Sequence, residues 1–595
     1  MSNLYLAHIN AQHMKYFLFS LVITLLISCG SSEENPDNID FTTPFEKSNG
    51  TQTATYDEIV TYYKDLDDAY TSIRTYEMGL TDSSEPLTLI TYSPNRTFES
   101  EFSKDADIRR ILINNGIHPG EPDGIDATMM LLRDLAQGKI EIPDNIWVGA
   151  IAVYNIGGAL NRNSTSRTNQ NGPESYGFRG NAKNYDLNRD FIKADTKNAD
   201  AFAEIFHLIQ PDVFVDTHVS NGADYQYTLT HLFTQHNKLG GVLGTYLHED
   251  FQPKVEQDLK TKDWEITPYV NVFNQTPEQG FSQFMDYPRY STGYTALWNT
   301  LGLMIETHML KPYKQRVEGT NALLQSIIHT TAQESEKIKA LRADAFNAFA
   351  KAETYPIAFA IDSSKTSSLE FLGYEGTYEE SKLTGKTRLK YHRDRPFTKT
   401  VTYYDYFKPT KEITIPKAYV IPHGWRDILL QLRRHHIEFT QLKKDSTMTV
   451  EIYHIADYET RRNAYEGHYQ HYNTAVNVTE KEITFKKGDY VVPTNQDGVR
   501  YLLEALEPEA PDSFFNWNYF DTILQQKEGF SPYVWEDKAA AFLAKHPNIE
   551  REFKAKQKSD PVFAQNWYAQ LDWIHKKSPS YEQAHLRYPI TRVRR

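Results

Sequence analysis

In LINNGIHPGEPDG, residues 112–124, an imidazole and a carboxylate, His118 and Glu121, stand three positions apart directly after an apolar run. A second histidine, His218, closes the run PDVFVDTH, and a second glutamate, Glu306, follows LGLMI. Each feature alone is ordinary. A His-x-x-Glu pair is commonly a surface loop, a histidine after a strand commonly just hydrogen-bonds, and Glu306 could pair with Lys311 or Arg316. Their shared position is the informative part, because each group sits where an apolar run stops. Two histidines and one glutamate are enough protein ligands for a catalytic zinc, with one position left for water. A further free carboxylate could take a proton from that water. The chemistry would be metal-assisted hydrolysis.

Groups that are far apart in sequence meet only if a scaffold brings the strand ends together. IRRILINNG, IWVGAIAVYNIGG, PDVFVDTH and LGLMIETH read as buried strands. GIDATMMLLRDLAQG and TKNADAFAEIFHLIQ carry apolar residues at helical spacing and stop at Gly138 and Pro211. This alternation predicts an α/β fold over residues 56–350, with a mostly parallel or mixed sheet and helices on both faces. In such sheets the ligand crevice lies at the carboxyl ends of the strands. Beyond residue 354 the texture changes. TKTVTYYDYF, TMTVEIYHI and KEITFKKGDYVVPT read as strands, GWRDILLQLRRHHIEF and GVRYLLEALEP as helices, and the tail from Tyr533 as largely helical with Trp567 and Trp573 as packing anchors. Residues 354–595 are therefore expected to form an α+β accessory domain with a helical end and no catalytic motif.

At 595 residues the chain exceeds one ordinary core. A net charge of -14 argues against a nucleic-acid partner. Cys29 is the only cysteine, so no intrachain disulfide can form. It stands next to last in MKYFLFSLVITLLISCG, which has a basic residue, a short apolar run and small residues, the pattern of a secretory signal rather than a spanning helix. LISC resembles the bacterial lipobox, which predicts Met14 as the start, acylation of Cys29 and an exported lipoprotein of the cell envelope held on the outer membrane. Residues 30–55 are polar and read as a flexible tether.

The order of these groups resembles the zinc carboxypeptidase family. That family's His-x-x-Glu corresponds to His118 and Glu121, and its later histidine to His218. Its Asp-x-Asn-Arg motif corresponds to Asp186, Asn188 and Arg189 in NYDLNRDF, and its glutamate on the last strand to Glu306. The resemblance implies one Zn2+ per chain held by His118, Glu121 and His218, with Asp186 behind His118. It implies Asn188 and Arg189 on the terminal carboxylate of a peptide substrate, and Glu306 as general base. Arg179 fits the arginine that stabilises the oxyanion, with Arg162 and Arg167 as competitors. Tyr294 is preferred over Tyr287 and Tyr290 as the tyrosine that caps substrate. Gly120 stands where digestive members carry an arginine, so one substrate contact is lost. The insert NRNSTSRTNQNGPESYGFRGN is expected to shape the cleft rim. A zinc amidase or deacylase acting on cell-wall peptides is the alternative on the same fold, and a non-catalytic binding lipoprotein the alternative from another class. Side-chain preference and oligomeric state are not legible.

Overall fold

The computed structural model describes residues 39–96 and 107–595; the signal segment with Cys29 lies outside the described residues. Every residue of Arg109–Asn114 is buried, as a strand flanked and covered on all sides requires. It lies near the middle of an eight-stranded sheet. In chain order the strands are β1 (Ile73–Leu80), β2 (Pro86–Tyr92), β3 (Arg109–Asn114), β4 (Ile146–Ile151), β5 (Val213–Ser220), β6 (Leu229–Phe233), β7 (Ile266–Pro268), β8 (Phe281–Ser282) and β9 (Leu301–His308). The sheet order is β1-β2-β4-β3-β5-β9-β6-β7, while β8 joins a separate three-stranded sheet. Strands β4, β3, β5 and β9 run parallel; β2 against β4 and β6 against β9 are antiparallel. The fold is thus mixed α/β.

Alternation along β5 sorts its side chains onto two faces. Thr217 meets the helix Asp123–Ala136 so closely that a Cβ at Gly124 would lie 2.0 Å from its Oγ1. On the other face Phe214 meets Phe202 of the helix Lys197–Ile209, with ring centroids 5.9 Å apart. Helices therefore cover both faces. The side chains of Asp216 and His218 share the Phe214 face.

The second half adds a six-stranded antiparallel sheet. Its longest members, Ser446–Thr460 and His471–Phe485, form a hairpin joined through residues 461–470. Helices Arg426–Arg434 and Val499–Leu506 accompany the sheet, and Thr591–Val593 returns as one of its strands.

Residues 41–595 form one compact unit. A single apolar cluster holds Phe202, Phe214 and Tyr294 from the first half and Tyr419, Tyr501 and Phe514 from the second. Lys238 and Glu504 make a fully buried ion pair across the same junction at 2.7 Å, and Arg500 donates to the carbonyl of Ala296 at 2.6 Å. The halves predicted from sequence are therefore two textures around a shared core.

Two expectations need correction. The segment read as a tether through residue 55 is packed from Phe41 onward: Phe41, Phe45 and Ala54 are buried, and the short helix Pro44–Lys47 carries a capping box of Thr43 and Glu46. Its few apolar residues are spent on contact with the body, which a composition reading does not see. Trp567 is 61% exposed and anchors nothing in the core; Trp535 is the buried tryptophan of the helical tail, with Trp573 packed beside it.

Candidate active site

β3 ends at Asn114 and the chain turns at Gly116, whose φ of +66° favours glycine. This turn brings His118 and Glu121 to the carboxyl end of the sheet, where both are 3% exposed. β5 and β9 are in register with His218 opposite Glu306. The sheet thereby joins three strand ends in one cavity of about 540 Å³. His118, Glu121, Arg167, Arg179, Asn188, Arg189, His218, Tyr290 and Glu306 line it, together with Leu232, Phe284 and Met304.

One ligand atom from each of His118, Glu121 and His218 lies within 4.8 Å of the others. Glu121 Oε2 is 3.4 Å from His118 Nδ1 and 3.1 Å from His218 Nδ1. The far nitrogens have carboxylates behind them: His118 Nε2 is 2.9 Å from Asp186 Oδ1, and His218 Nε2 is 3.0 Å from Asp216 Oδ2. Donation from Nε2–H to these carboxylates leaves both Nδ1 lone pairs aimed at the Glu121 carboxylate. Three electron-pair donors meeting in a buried space suit a cation, and two imidazoles with one carboxylate suit zinc. The residues present therefore fit a metal. Asp216 was not singled out from sequence, although the period of two in VDTH puts it on the face of His218.

Electrostatics agree with this arrangement. Burial opposes ionisation of Glu121, but Arg167 and His118 outweigh it and hold its carboxyl well below the usual range. Burial likewise opposes the charged form of His218, yet Asp216 and Glu121 raise it well above the ordinary histidine value. Glu306 lines the cavity, where loss of water pushes its carboxyl up to about 7. It pairs with neither Lys311, which donates to the carbonyl of Tyr225, nor Arg316, which pairs with Asp123 at 2.9 Å. A carboxylate that takes up a proton near neutral pH is suited to proton transfer.

The segment Asp186–Arg189 forms a single 3-10 turn that brings Asn188 and Arg189 to the cavity, with Asp186 Oδ1 accepting from the N–H of Asn188. Asn188 Nδ2 lies 3.3 Å from His218 Nε2, and Asn188 Oδ1 accepts from the N–H of Ser291. Arg189 stacks on Tyr290 at 4.6 Å and donates to its neighbour's carbonyl, so its fork has a fixed direction. Arg179 donates to Asp186 Oδ2 at 3.0 Å and approaches Glu121 Oε1 at 3.7 Å. Of its competitors, Arg162 is turned away and donates to the carbonyls of Ala54 and Ser175. Arg167 enters the cavity and pairs with Glu121 at 2.7 Å. Its side chain lies 3.1 Å from where a Cβ of residue 120 would stand, so it occupies the room beside Gly120. Ser166, Thr168, Asn169 and Gln170 of the polar insert line the rim.

The expectation for Tyr294 is corrected. Its ring is buried among Phe191, Phe202 and Phe206, and its hydroxyl lies 2.8 Å from His435 Nδ1, outside the cavity. Tyr287 is likewise held elsewhere, its hydroxyl accepting from the N–H of Phe359. Tyr290 is the tyrosine of that stretch that reaches the cavity.

No protein-family model matches the chain. It is 22% identical over 427 residues to Carboxypeptidase 2 of Trichophyton rubrum, covering 68% of this chain and 73% of that protein. It is 23% identical over 429 residues to Carboxypeptidase 2 of Trichophyton tonsurans, with the same coverage. Among solved structures, a metallo-carboxypeptidase from Burkholderia cenocepacia superimposes with a TM-score of 0.36 at 15% identity, over 47% of this chain and 70% of that one. Carboxypeptidase A from Helicoverpa armigera gives 0.36 at 13%, over 53% and 77%.

Proposed function

We propose that this chain, a member of the zinc carboxypeptidase family, is an exopeptidase that removes C-terminal residues from peptides with zinc and a glutamate base. The observation that carries the reading is the meeting of His118, Glu121 and His218 with Glu306 and Arg189 in one cavity. A zinc ion held by the first three would supply a Lewis acid and acidify the attacking water. Glu306 takes the proton of that water and returns it to the departing amine, a role its raised carboxyl supports. Arg189, fixed against Tyr290, and Asn188 receive the substrate's terminal carboxylate, and a planar guanidinium can do so with two parallel bonds. Arg179 faces the same space and stabilises the negative charge that develops on the peptide oxygen.

Converting a peptide's C-terminus to an amide is expected to lower kcat/KM by on the order of a hundredfold, because a charge-assisted pair is lost. Arg189→Ala is expected to lower kcat/KM on the free acid by a similar factor. Digests read by mass spectrometry decide it: equal cleavage of acid and amide, or full activity of Arg189→Ala, overturns the exo-acting reading.

Export and lipid anchoring through Cys29 belong to the same proposal. Among the described residues no helix is long and apolar enough to cross a membrane. More than one acyl chain is needed for stable anchoring, and bacterial lipoprotein maturation supplies a diacylglyceryl group. Cys29→Ala is expected to leave the membrane fraction; fractionation that finds mutant and parent equally membrane-bound and equally processed removes the anchor.

A further inference from the structure

The tip of the long hairpin, residues 461–470, reaches the carboxylate side of the site from the second half of the chain. Tyr465 and His468 exchange backbone hydrogen bonds of 2.7 and 3.0 Å around Glu466 and Gly467. Both central residues have positive φ, +50° and +78°. Tight hairpin turns of this kind favour Asn, Asp or Gly at the first central position, so a glutamate there is held under strain. What this glutamate touches is informative. Its Oε2 accepts the backbone N–H of Asp186 at 2.8 Å. Gly467 lies so close to the preceding tyrosine that a Cβ would come within 2.8 Å of Tyr185 Oη. Tyr465 opens the turn with the Arg461 guanidinium 5.4 Å from its ring. Its ring is stacked on buried Trp517 at 6.0 Å, with the Arg289 guanidinium 5.8 Å away. On the far side of the turn, His468 Nε2 contacts Asp195 Oδ2 at 2.8 Å. The turn is thus built from its own side and docked onto the one segment that carries Asp186, Asn188 and Arg189.

We propose that the turn Tyr465–His468 is a positioning element of the carboxylate-binding site, with Glu466 fixing the backbone of Asp186 at the head of the segment that carries Asn188 and Arg189. The inference rests on the exopeptidase reading and gives the second half of the chain a part in substrate recognition. Glu466 does not line the cavity, so it acts through the Asp186–Arg189 turn and not on substrate. Binding of the terminal carboxylate is common to ground and transition states, so a loosened Arg189 raises KM more than it lowers kcat.

The test measures kcat, KM and bound zinc for the full-length protein on a peptide and on its C-terminal amide. Glu466→Ala removes the acceptor of the Asp186 N–H and leaves the ring of Tyr465 on Trp517. It is expected to raise KM on the free acid about tenfold, with kcat within about twofold, zinc unchanged and the amide unaffected. Glu466→Gln, which still offers an oxygen to the Asp186 N–H, is expected to restore most of the loss. A Glu466→Ala protein that keeps the parent's preference for acid over amide overturns the inference, as does a loss that falls equally on both substrates. A parent that cleaves acid and amide equally removes the exopeptidase reading first and this inference with it.

Discussion

Replacing His118, Glu121 or His218 by Ala is expected to leave the protein without stoichiometric zinc and to lower hydrolysis by on the order of a thousandfold or more. The physical reason is the donor count. Three protein atoms meet within 4.8 Å, and removal of any one leaves a two-ligand site open to water. Glu121 requires a control, because its carboxylate also pairs with Arg167 at 2.7 Å and accepts the N–H of Val219. Glu121→Ala strands a partly buried guanidinium, and some of its effect is expected as lost stability. Thermal unfolding of the three variants separates this from metal loss, since the histidine variants leave Arg167 and Glu121 together. Full zinc content in all three by elemental analysis sinks the ligand assignment.

Glu306→Gln is expected to do the opposite to metal and the same to turnover. The amide keeps the size of the carboxylate and its place opposite His218 and Thr230 in the sheet, so zinc stays. It cannot accept the proton, and kcat is expected to fall by about 10² to 10⁴. Near-parental turnover removes Glu306 from the mechanism. The same group sets a pH limb. Burial raises its carboxyl to about 7, and the base works only when ionised, so kcat/KM is expected to fall as pH drops through its value. A cation beside it favours the ionised form and places that limb below 7 in the zinc-loaded protein. A profile flat from pH 8 to below 5 would contradict this.

Much of the catalytic half could be read from the sequence because its signals are local. Arg109–Asn114, Val213–Ser220 and Leu301–His308 are short apolar runs, and a strand buried on both faces needs little else to be recognised. The reactive groups sit at or just past the carboxyl ends of those strands, so their convergence is a consequence of parallel pairing. The order of His118, Glu121, Asp186, Asn188, Arg189, His218 and Glu306 along the chain carried the family likeness without any packing knowledge.

Other features depended on which side chain faces which neighbour, and only tertiary structure decides that. Tyr290 and Tyr294 belong to one stretch, yet Tyr290 stacks on Arg189 while Tyr294 is drawn into the phenylalanine cluster behind the sheet. Arg167 and Arg162 come from one polar insert, yet Arg167 enters the cavity and Arg162 serves two backbone carbonyls. Phe41 and Phe45 look like chance apolar residues in a polar leader until the surface they cover is known. The contact of Glu466 with the Asp186–Arg189 turn joins positions 280 apart, through its bond to the Asp186 N–H. Sequence periodicity reports the face of an element, and a motif reports its own few residues. Neither reports which distant loop completes a site, because that is fixed by how two surfaces pack around a common core.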